Sequence, residues 1–182
     1  NSQGLKNKNI KKINGKPLIC YTIEHAKKSN IFNEIIVSSD SKKILEISKT
    51  CGIKNILRRP RKFSSNKAGK LDAIKHALLE LEKIKNKKFD VIVDLDVTSP
   101  LRKVSDILDA LKLFKKKNAT VVTSGSLSKK SPYFNQVIKR PNSSIELVKK
   151  KNFFLRRQDV PLTYDLNASI YVYSRNHILR SN

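Results

Sequence analysis

Residues 90–102 read DVIVDLDVTSPLR and contain the strand on which the fold depends. The run from Asp90 to Leu95 is almost continuously apolar, which is typical of a strand buried in a parallel sheet. The polar segment from Asp96 to Arg102 begins where this strand ends. In open α/β sheets, ligands bind at the carboxyl ends of the strands. The segment is therefore the first candidate for a functional loop.

Helical and strand patterns alternate on both sides of this strand. Pro17 is predicted at a first helical position, Ser41 as a helix cap and Gly52 as a helix stop. Amphipathic helices are predicted at 17–29, 41–50, 70–85 and 104–116, and strands at 34–38, 55–57, 90–95, 119–124 and 168–173. The alternation predicts a three-layer α/β/α, Rossmann-like fold with a mostly parallel sheet.

Residues 126–166 interrupt this alternation. They contain Pro132, Pro141 and Pro161, short β-like pieces and polar turns. We interpret them as an irregular, β-containing insertion at the edge of the sheet or over its mouth. No linker separates two domains, so residues 1–182 are predicted to form a single domain.

The chain carries 39 Lys and Arg against 15 Asp and Glu, a formal net charge of +24. Such a balance can indicate a nucleic-acid partner or an anionic membrane surface, or it can reflect the composition of an AT-rich genome. The lysines are scattered rather than interleaved with aromatic residues, as an RNA-binding surface would require. The pattern favours anionic small molecules over nucleic acid.

The remaining composition limits the location of the protein. No run of 18 apolar residues is present, which argues against a membrane-spanning helix. Cys20 and Cys51 lack a CxxC spacing and are predicted to be free thiols in a reducing cytosol. The sequence contains no Met, so we expect it to be part of a longer polypeptide.

The first nine residues offer a candidate phosphate-binding loop. Ser2, Gly4 and the lysines up to Asn9 supply a hydroxyl, backbone N–H groups and positive charge, which a triphosphate requires. The loop lacks the second Gly and the GK[ST] ending of a Walker loop. Taken alone, the segment is more typical of a solvated, lysine-rich terminus than of a phosphate-binding loop.

Five ordered motifs together resemble the acylneuraminate (sialic-acid-like) cytidylyltransferases, which are CMP-sugar synthetases. The motifs are KN with GKPLI in 2–19, VSSDS in 37–41, RP with LD in 59–72, LDVTSPLR in 95–102, and RQD with NASIY in 157–171. Three positions depart from the usual pattern of the family, since Gln3 replaces Lys, Lys70 replaces a base-contacting Ser and Asp96 replaces Gln.

The resemblance implies a nucleotidyltransferase that activates a nine-carbon 2-keto sugar acid. The anomeric hydroxyl of the sugar would attack the α-phosphate of CTP, and pyrophosphate would leave. N-acetylneuraminic, legionaminic and pseudaminic acids fit this expectation equally. The resemblance also implies Mg²⁺ with the CTP phosphates, a cytoplasmic location, no membrane partner, and a homodimer to which residues 126–166 contribute.

The predicted site residues fall into three groups. Lys8 and Asp96 are the predicted catalytic residues, and Lys8 is assigned to the α-phosphate and the leaving group. The predicted nucleotide-binding residues are Ser2, Gly4, Lys8, Asn9, Arg59 and Lys70. The predicted sugar-binding residues are Asp96, Thr98, Ser99, Arg157, Gln158, Asn167 and Tyr171, with Arg157 suited to the sugar carboxylate. Arg102 is predicted to brace its loop.

Asp94 and Asp96 are a candidate metal site, because side chains two residues apart in a strand share a face. Two carboxylates there could bind Mg²⁺ with the phosphates. Alternatively, one pairs with a lysine or caps the next turn. The resemblance places the main metal-binding aspartates beyond residue 182 and an arginine before Asn1, so we expect this polypeptide alone to have low activity.

Two other functions remain open from the sequence. One is a nucleotidyltransferase of the same fold that uses another nucleotide or sugar acid, of the CMP-Kdo or GDP-sugar type. The other is a basic, RNA-associated protein that has kept the fold without catalysis.

Overall fold

The structure is a computed structural model that describes residues 5, 7–64, 69–149 and 154–180. The helices in these ranges are α1 (Leu18–Ser29), α2 (Lys42–Thr50), α3 (Lys70–Lys85), α4 (Val104–Lys116) and α5 (Arg175–Arg180). The strands are β1 (Lys12–Ile13), β2 (Lys16–Pro17), β3 (Ile36–Ser39), β4 (Asn55–Arg58), β5 (Val91–Leu95), β6 (Val121–Leu127), β7 (Val137–Lys139), β8 (Ile145–Leu147) and β9 (Tyr164–Ser174). Within these ranges no helix has the length and apolar character needed to cross a membrane.

The chain divides into two compact units. The larger contains residues 1–124 and 168–182, and the smaller contains residues 125–167. In the larger unit, β3 runs parallel to β4, with Ile36 opposite Asn55. A three-stranded sheet has the order β5-β9-β6, and β5 pairs antiparallel with β9. The predicted alternation of strands and helices is confirmed.

The sheet pairing is more mixed than the sequence predicts. The antiparallel pairing of β9 is the reason, because this strand starts at Tyr164 inside the 125–167 unit and comes after short strands and a 3-10 helix rather than a crossover α-helix. Parallel strands require a crossover connection, usually a helix, whereas an antiparallel strand does not. The sheets of the larger unit therefore combine parallel and antiparallel pairs where a mostly parallel arrangement was predicted.

Local signals in the sequence set the helix boundaries. The Ser41 hydroxyl accepts a hydrogen bond from the Ile44 N–H at 3.4 Å, which confirms the predicted cap of α2. Gly52 follows that helix with a φ of +85°, a conformation that glycine adopts without a side-chain penalty. Pro17 was predicted as the first residue of helix α1. In the structure it is the N-cap, and the helix begins one residue later, at Leu18. Asn30 and Asn86 end α1 and α3 in the left-handed conformation.

The core of the larger unit is made of three apolar clusters. One joins α1 to the β3–β4 pair through Ile19, Ile23 and Ile53. The other two lie on the β5-β9-β6 sheet, and their most buried members are Ile107, Ile170, Val172 and Ile178. Burial of each such side chain contributes about 1.5–3 kcal/mol. The β3–β4 pair and the β5-β9-β6 sheet are therefore both fixed by buried apolar side chains.

The smaller unit is built around the antiparallel pair β7–β8. Val137 lies opposite Leu147, and Lys139 lies opposite Ile145. The connecting turn is closed by the Arg140 N–H, which donates to the Ser144 carbonyl at 2.8 Å. The pair is short, and several of its apolar side chains are exposed.

The prediction of two free thiols is wrong, because Cys20 and Cys51 are joined by a disulfide. Cys20 lies in α1, and Cys51 is the C-cap residue of α2. Their Cα atoms are 5.7 Å apart, within the range that a disulfide requires. The contact arises from the packing of α1 on α2, which a separation of 31 residues does not reveal in the sequence.

Candidate active site

A pocket of about 950 Å³ opens in the larger unit, between strands β3 and β5. Helices α1 and α3 also line it. The depth of the pocket is apolar, with Ile23, Leu78 and Val93 among its lining residues. Its polar groups lie where β3 and β5 end.

Four predicted nucleotide-binding residues meet at this polar end. Lys8 and Asn9 come from the 3-10 helix Lys8–Ile10, Arg59 follows β4, and Lys70 begins α3. The other two, Ser2 and Gly4, lie outside the described residues. The structure thus brings together residues from two separate motifs of the sequence, 2–19 and 59–72.

Lys8 and Asn9 both line the pocket. The Asn9 amide oxygen is buried and has no hydrogen-bond partner within the part of the chain that the structure describes. In the same part of the chain, no ion pair holds the Lys8 ammonium. A buried polar atom without a partner costs free energy, which a ligand donor can recover. The pair therefore offers one acceptor and one cation to the pocket.

Arg59 is fixed against the end of β3. Its Nε donates to the Ser38 hydroxyl at 3.1 Å, and its Nη2 donates to the Ser38 carbonyl at 2.6 Å. Burial lowers the pKa of the Arg59 guanidinium, while the carboxylates of Asp40 and Asp94 oppose this change. Arg side chains remain protonated in proteins. Arg59 therefore presents a positioned positive charge in the pocket.

Asp94 is engaged by a lysine, and its predicted role of metal ligand stays a prediction. The Lys70 ammonium lies 2.5 Å from its Oδ2, as a charge contact without the angles of a standard hydrogen bond. In the described ranges, no group of three or more His, Cys, Asp or Glu side chains could hold a metal ion. The lysine pairing that the sequence left open is the one observed.

Asp96 caps the turn that follows β5. Its Oδ1 accepts from the Thr98 N–H at 2.7 Å and also from the Thr98 hydroxyl. The Ser99 carbonyl accepts from the Arg102 N–H at 3.3 Å. Asp96, Thr98 and Ser99 therefore form one hydrogen-bonded turn beside the carboxyl end of β5. Their roles toward a sugar and in catalysis stay predictions.

Arg102 holds this turn against two other elements. Its guanidinium donates to the Ser169 carbonyl at 2.5 Å, and at 3.2 Å to both the Thr22 hydroxyl and the Asp96 carbonyl. Only 6% of the residue is exposed. Burial lowers the pKa of Arg102, and the carboxylates of Asp96, Asp94 and Asp106 oppose this effect. The predicted bracing role of Arg102 is confirmed.

The predicted sugar-binding residues are divided between the two units. Tyr171 lies on β9 in the larger unit, directly opposite Asp94 of β5. Arg157 and Gln158 begin the 3-10 helix Arg157–Asp159, and Asn167 lies on β9 within the 125–167 unit. The three residues of the smaller unit stay predictions.

Sequence reasoning assigned no role to two other residues of the pocket. Ser38 orients Arg59, and its position in the VSSDS motif was the available signal. Phe63 lines the pocket and packs against His76, with ring centroids 4.8 Å apart. No motif marked Phe63, since its place depends on the 3-10 helix Arg61–Phe63 that follows Pro60.

Comparison with known proteins decides the family. The sequence profile described as "Cytidylyltransferase" matches residues 1–181, almost the whole chain. The chain belongs to the cytidylyltransferase family. The resemblance drawn from the five motifs is therefore confirmed, and the chain is a nucleotidyltransferase of this family.

Relatives in this family extend the comparison. The chain is 36% identical over 182 residues to "Post-translational flagellin modification protein B" of Campylobacter coli, covering 100% of this chain and 76% of that protein. It is 33% identical over 181 residues to "CMP-N,N'-diacetyllegionaminic acid synthase" of Campylobacter jejuni, with the same coverage.

A solved structure supports the predicted α/β nucleotidyltransferase fold. It is a CMP:2-keto-3-deoxy-manno-octonic acid synthetase complexed with CTP, and it aligns with a TM-score of 0.68 and 19% identity. The alignment covers 98% of this chain and 72% of that one. At this identity the likeness concerns the fold alone.

Replacing Arg102 with Met should destabilise this cytidylyltransferase fold. The change removes one charged donor from each of the Ser169 carbonyl, the Asp96 carbonyl and the Thr22 hydroxyl, so we expect the free energy of unfolding to fall by about 3 kcal/mol. Equilibrium urea denaturation measures the free energy of unfolding of the wild type and the variant. The matched control is Lys103→Met, which removes the same charge from an exposed side chain. Equal effects of the two changes would contradict the bracing role.

Proposed function

We propose that the protein transfers the cytidylyl group of CTP to a sialic-acid-like 2-keto sugar acid, with release of pyrophosphate. The observation that carries this proposal is the meeting of Lys8, Asn9 and Arg59 at one pocket of a chain that belongs to the cytidylyltransferase family. The relative named CMP-N,N'-diacetyllegionaminic acid synthase supports a sugar of this class.

The polar end of the pocket suits a nucleotide. The free acceptor of Asn9 matches an N–H donor such as the amino group of cytosine. Arg59, held by Ser38, presents positive charge and further donors beside it. The Lys8 ammonium suits the phosphates, because no ion pair in the described part of the chain neutralises it.

The reaction needs positive charge at the phosphates more than it needs covalent chemistry from the protein. The sugar hydroxyl forms a bond to the α-phosphorus of CTP, and the bond from that phosphorus to the bridging oxygen of pyrophosphate breaks. The hydroxyl proton is released. We assign Lys8 to the negative charge that develops on the α-phosphate and the leaving group.

The sugar is proposed to bind beyond the carboxyl end of β5. There the Asp96 turn offers carboxylate and hydroxyl groups, and Tyr171 offers an aromatic face on the neighbouring strand. Asp96 would accept a hydrogen bond from a hydroxyl or amide of the sugar. For Arg157, Gln158 and Asn167, roles toward the sugar carboxylate and its polar groups stay predictions from the family resemblance.

Mg²⁺ is proposed to accompany the CTP phosphates, where it would neutralise charge. We assign it no protein ligand among the described residues, since Asp94 is paired with Lys70. The cytoplasm is the proposed location, because CTP is a cytoplasmic metabolite.

A turnover assay tests the proposed reaction. CTP, GTP and UTP are each offered with N-acetylneuraminic, legionaminic, pseudaminic and 3-deoxy-manno-octulosonic acids, and pyrophosphate release is measured. We expect release only from CTP with a nine-carbon acid. Release from GTP but not from CTP would contradict the proposal. So would salt-dependent RNA binding without thermal protection by CTP, which would favour an RNA-associated protein.

The same assay gives a prediction for Lys8. Lys8→Gln keeps a polar side chain but removes the cation at the phosphates, so kcat should fall by about a hundredfold. Lys11→Gln is the matched control, since Lys11 is exposed and does not line the pocket. A kcat within about threefold of the wild-type value would remove Lys8 from the proposed mechanism.

We also propose that the protein is a homodimer whose contact includes one face of the β7–β8 pair. Val137, Lys139, Ile145 and Leu147 share this face, because directly opposed residues and alternate residues point to the same side. Val137 is 52% exposed, and Ile145 is 68% exposed. Exposed apolar side chains grouped in this way favour an interaction with another protein surface, and a second copy is the partner that the family resemblance suggests.

The double substitution Val137→Glu/Ile145→Glu should dissociate this dimer. Two carboxylates would have to lose their hydration in the contact, so we expect the dimer dissociation constant to rise by about a hundredfold. Sedimentation velocity over a concentration series measures it. Ile84→Glu is the control, since Ile84 is a comparably exposed apolar residue on α3. An unchanged dimer would exclude this face as the contact.

A further inference from the structure

The disulfide between Cys20 and Cys51 joins two helices that line the pocket. Cys20 lies in α1, and Cys51 follows the last residue of α2 as its C-cap. Helix α1 lines the pocket through Thr22 and Ile23, and α2 lines it through Ile44. The bond connects positions 31 residues apart in the sequence. It is therefore a covalent link between two walls of the pocket.

The 3-10 helix Lys8–Ile10 rests on both of these helices. It contacts α1 and α2, and it brings Lys8 and Asn9 to the polar end of the pocket. The position of α1 relative to α2 therefore sets the base on which these two side chains stand. A link that fixes this base reduces the ordering that a ligand must impose on binding, and so it increases affinity.

The packing of α1 on α2 does not depend on the bond alone. Cys20 belongs to a buried apolar cluster with Ile19, Ile23 and Ile53, and Cys51 packs against this cluster. These side chains remain buried when the two sulfur atoms separate, and their burial keeps the helices in contact. Reduction of the disulfide is therefore expected to loosen the contact between the helices without unfolding the chain.

We propose that Cys20 and Cys51 form a reversible thiol–disulfide pair that sets the affinity of the pocket for nucleotide, with the oxidised form binding CTP more tightly. The inference rests on the proposed function and adds a means of regulation to that same site. The proposed cytoplasmic location supports reversibility. Thiols in that compartment reduce most protein disulfides, and those that form there are usually transient.

The two sulfur atoms differ in their access to solvent, which sets the order of the exchange. Cys20 is only 4% exposed, whereas Cys51 is partly exposed. The thiolate of glutathione attacks the Cys51 Sγ, the bond to the Cys20 Sγ breaks, and the Cys20 sulfur leaves as a thiolate that takes up a proton. A second glutathione attacks the mixed disulfide, which releases oxidised glutathione and leaves Cys51 as a thiol.

The electrons balance over these two steps. The protein disulfide gains two electrons and two protons, and two glutathione thiols are oxidised to one disulfide. Oxidised glutathione drives the same steps in reverse. No other reactant is needed in either direction.

A lysine beside the accessible cysteine favours this exchange. The Lys27 ammonium lies 2.5 Å from the position that a Cβ atom on Gly52 would occupy, and Gly52 directly follows Cys51. Positive charge near a cysteine favours its thiolate form, and it attracts an anion such as glutathione. Attack at Cys51 therefore has support from charge as well as from access.

Calorimetric titration of CTP into the oxidised and the reduced chain tests the proposal. The protein is equilibrated with oxidised glutathione or with dithiothreitol and desalted without air, and its thiols are counted by iodoacetamide alkylation and mass spectrometry. We expect both cysteines to be alkylated in the reduced form and neither in the oxidised form. The CTP dissociation constant should be about tenfold higher in the reduced form, because binding must then order two further side chains.

Two variants are the controls. Cys51→Ser cannot form the bond, so after either treatment it should bind CTP as the reduced wild type does. Ala110→Gly lowers the Tm through the poor helix propensity of glycine on α4, and Ala110 does not line the pocket. Its CTP dissociation constant should equal that of the wild type in each redox state, which separates a change at the pocket from a general loss of stability.

Three results would overturn the inference while the oxidised wild type binds CTP. One is alkylation of both cysteines after equilibration with oxidised glutathione, since the bond would then not form by exchange. Another is a disulfide that persists in about a hundredfold excess of reduced glutathione, which would make the link permanent. The third is the same CTP dissociation constant in both forms, which would leave the bond a structural role only. Failure of both forms to bind CTP would instead contradict the proposed function.

Discussion

The buried guanidinium of Arg102 holds the candidate active site together. It bonds to the carbonyls of Asp96 and Ser169 and to the hydroxyl of Thr22, and so it joins the turn after β5 to β9 and α1. Hydrogen bonds from a charged donor of this kind contribute about 1.5–3 kcal/mol each. Because Asp96 caps the same turn through Thr98, the loop at the end of β5 is fixed from both sides.

A second constraint is the distribution of charge around the pocket. Lys8, Arg59 and Lys70 reach its polar end, where Asp40 and Asp94 are also found. Lys70 is neutralised at close range by Asp94, and Ser38 orients Arg59. In the part of the chain that the structure describes, Lys8 has no comparable restraint.

The sequence predicted what depends on local chemistry. The cap at Ser41, the stop at Gly52 and the apolar run of β5 gave the helices and strands within a few residues, since each signal acts over one or two turns of chain. Contacts between distant segments were not predictable in this way. The Cys20–Cys51 disulfide and the antiparallel entry of β9 depend on packing, which no spacing reveals. Asp94 lies between these two cases. The sequence allowed a pairing with a lysine, but only the structure identified Lys70 as that lysine.

The site also explains how a strongly basic chain can be selective for a small anion. Of the 39 Lys and Arg residues, few line the pocket, so the net charge of +24 does not itself form a recognition surface. Scattered surface cations act over about 10 Å and are screened by salt. Selection must then come from short-range groups with defined partners, which are the orphaned amide oxygen of Asn9, the oriented guanidinium of Arg59 and the paired ammonium of Lys70. The basic surface can raise the local concentration of any anion, whereas recognition of a cytidine nucleotide by these three groups stays a prediction.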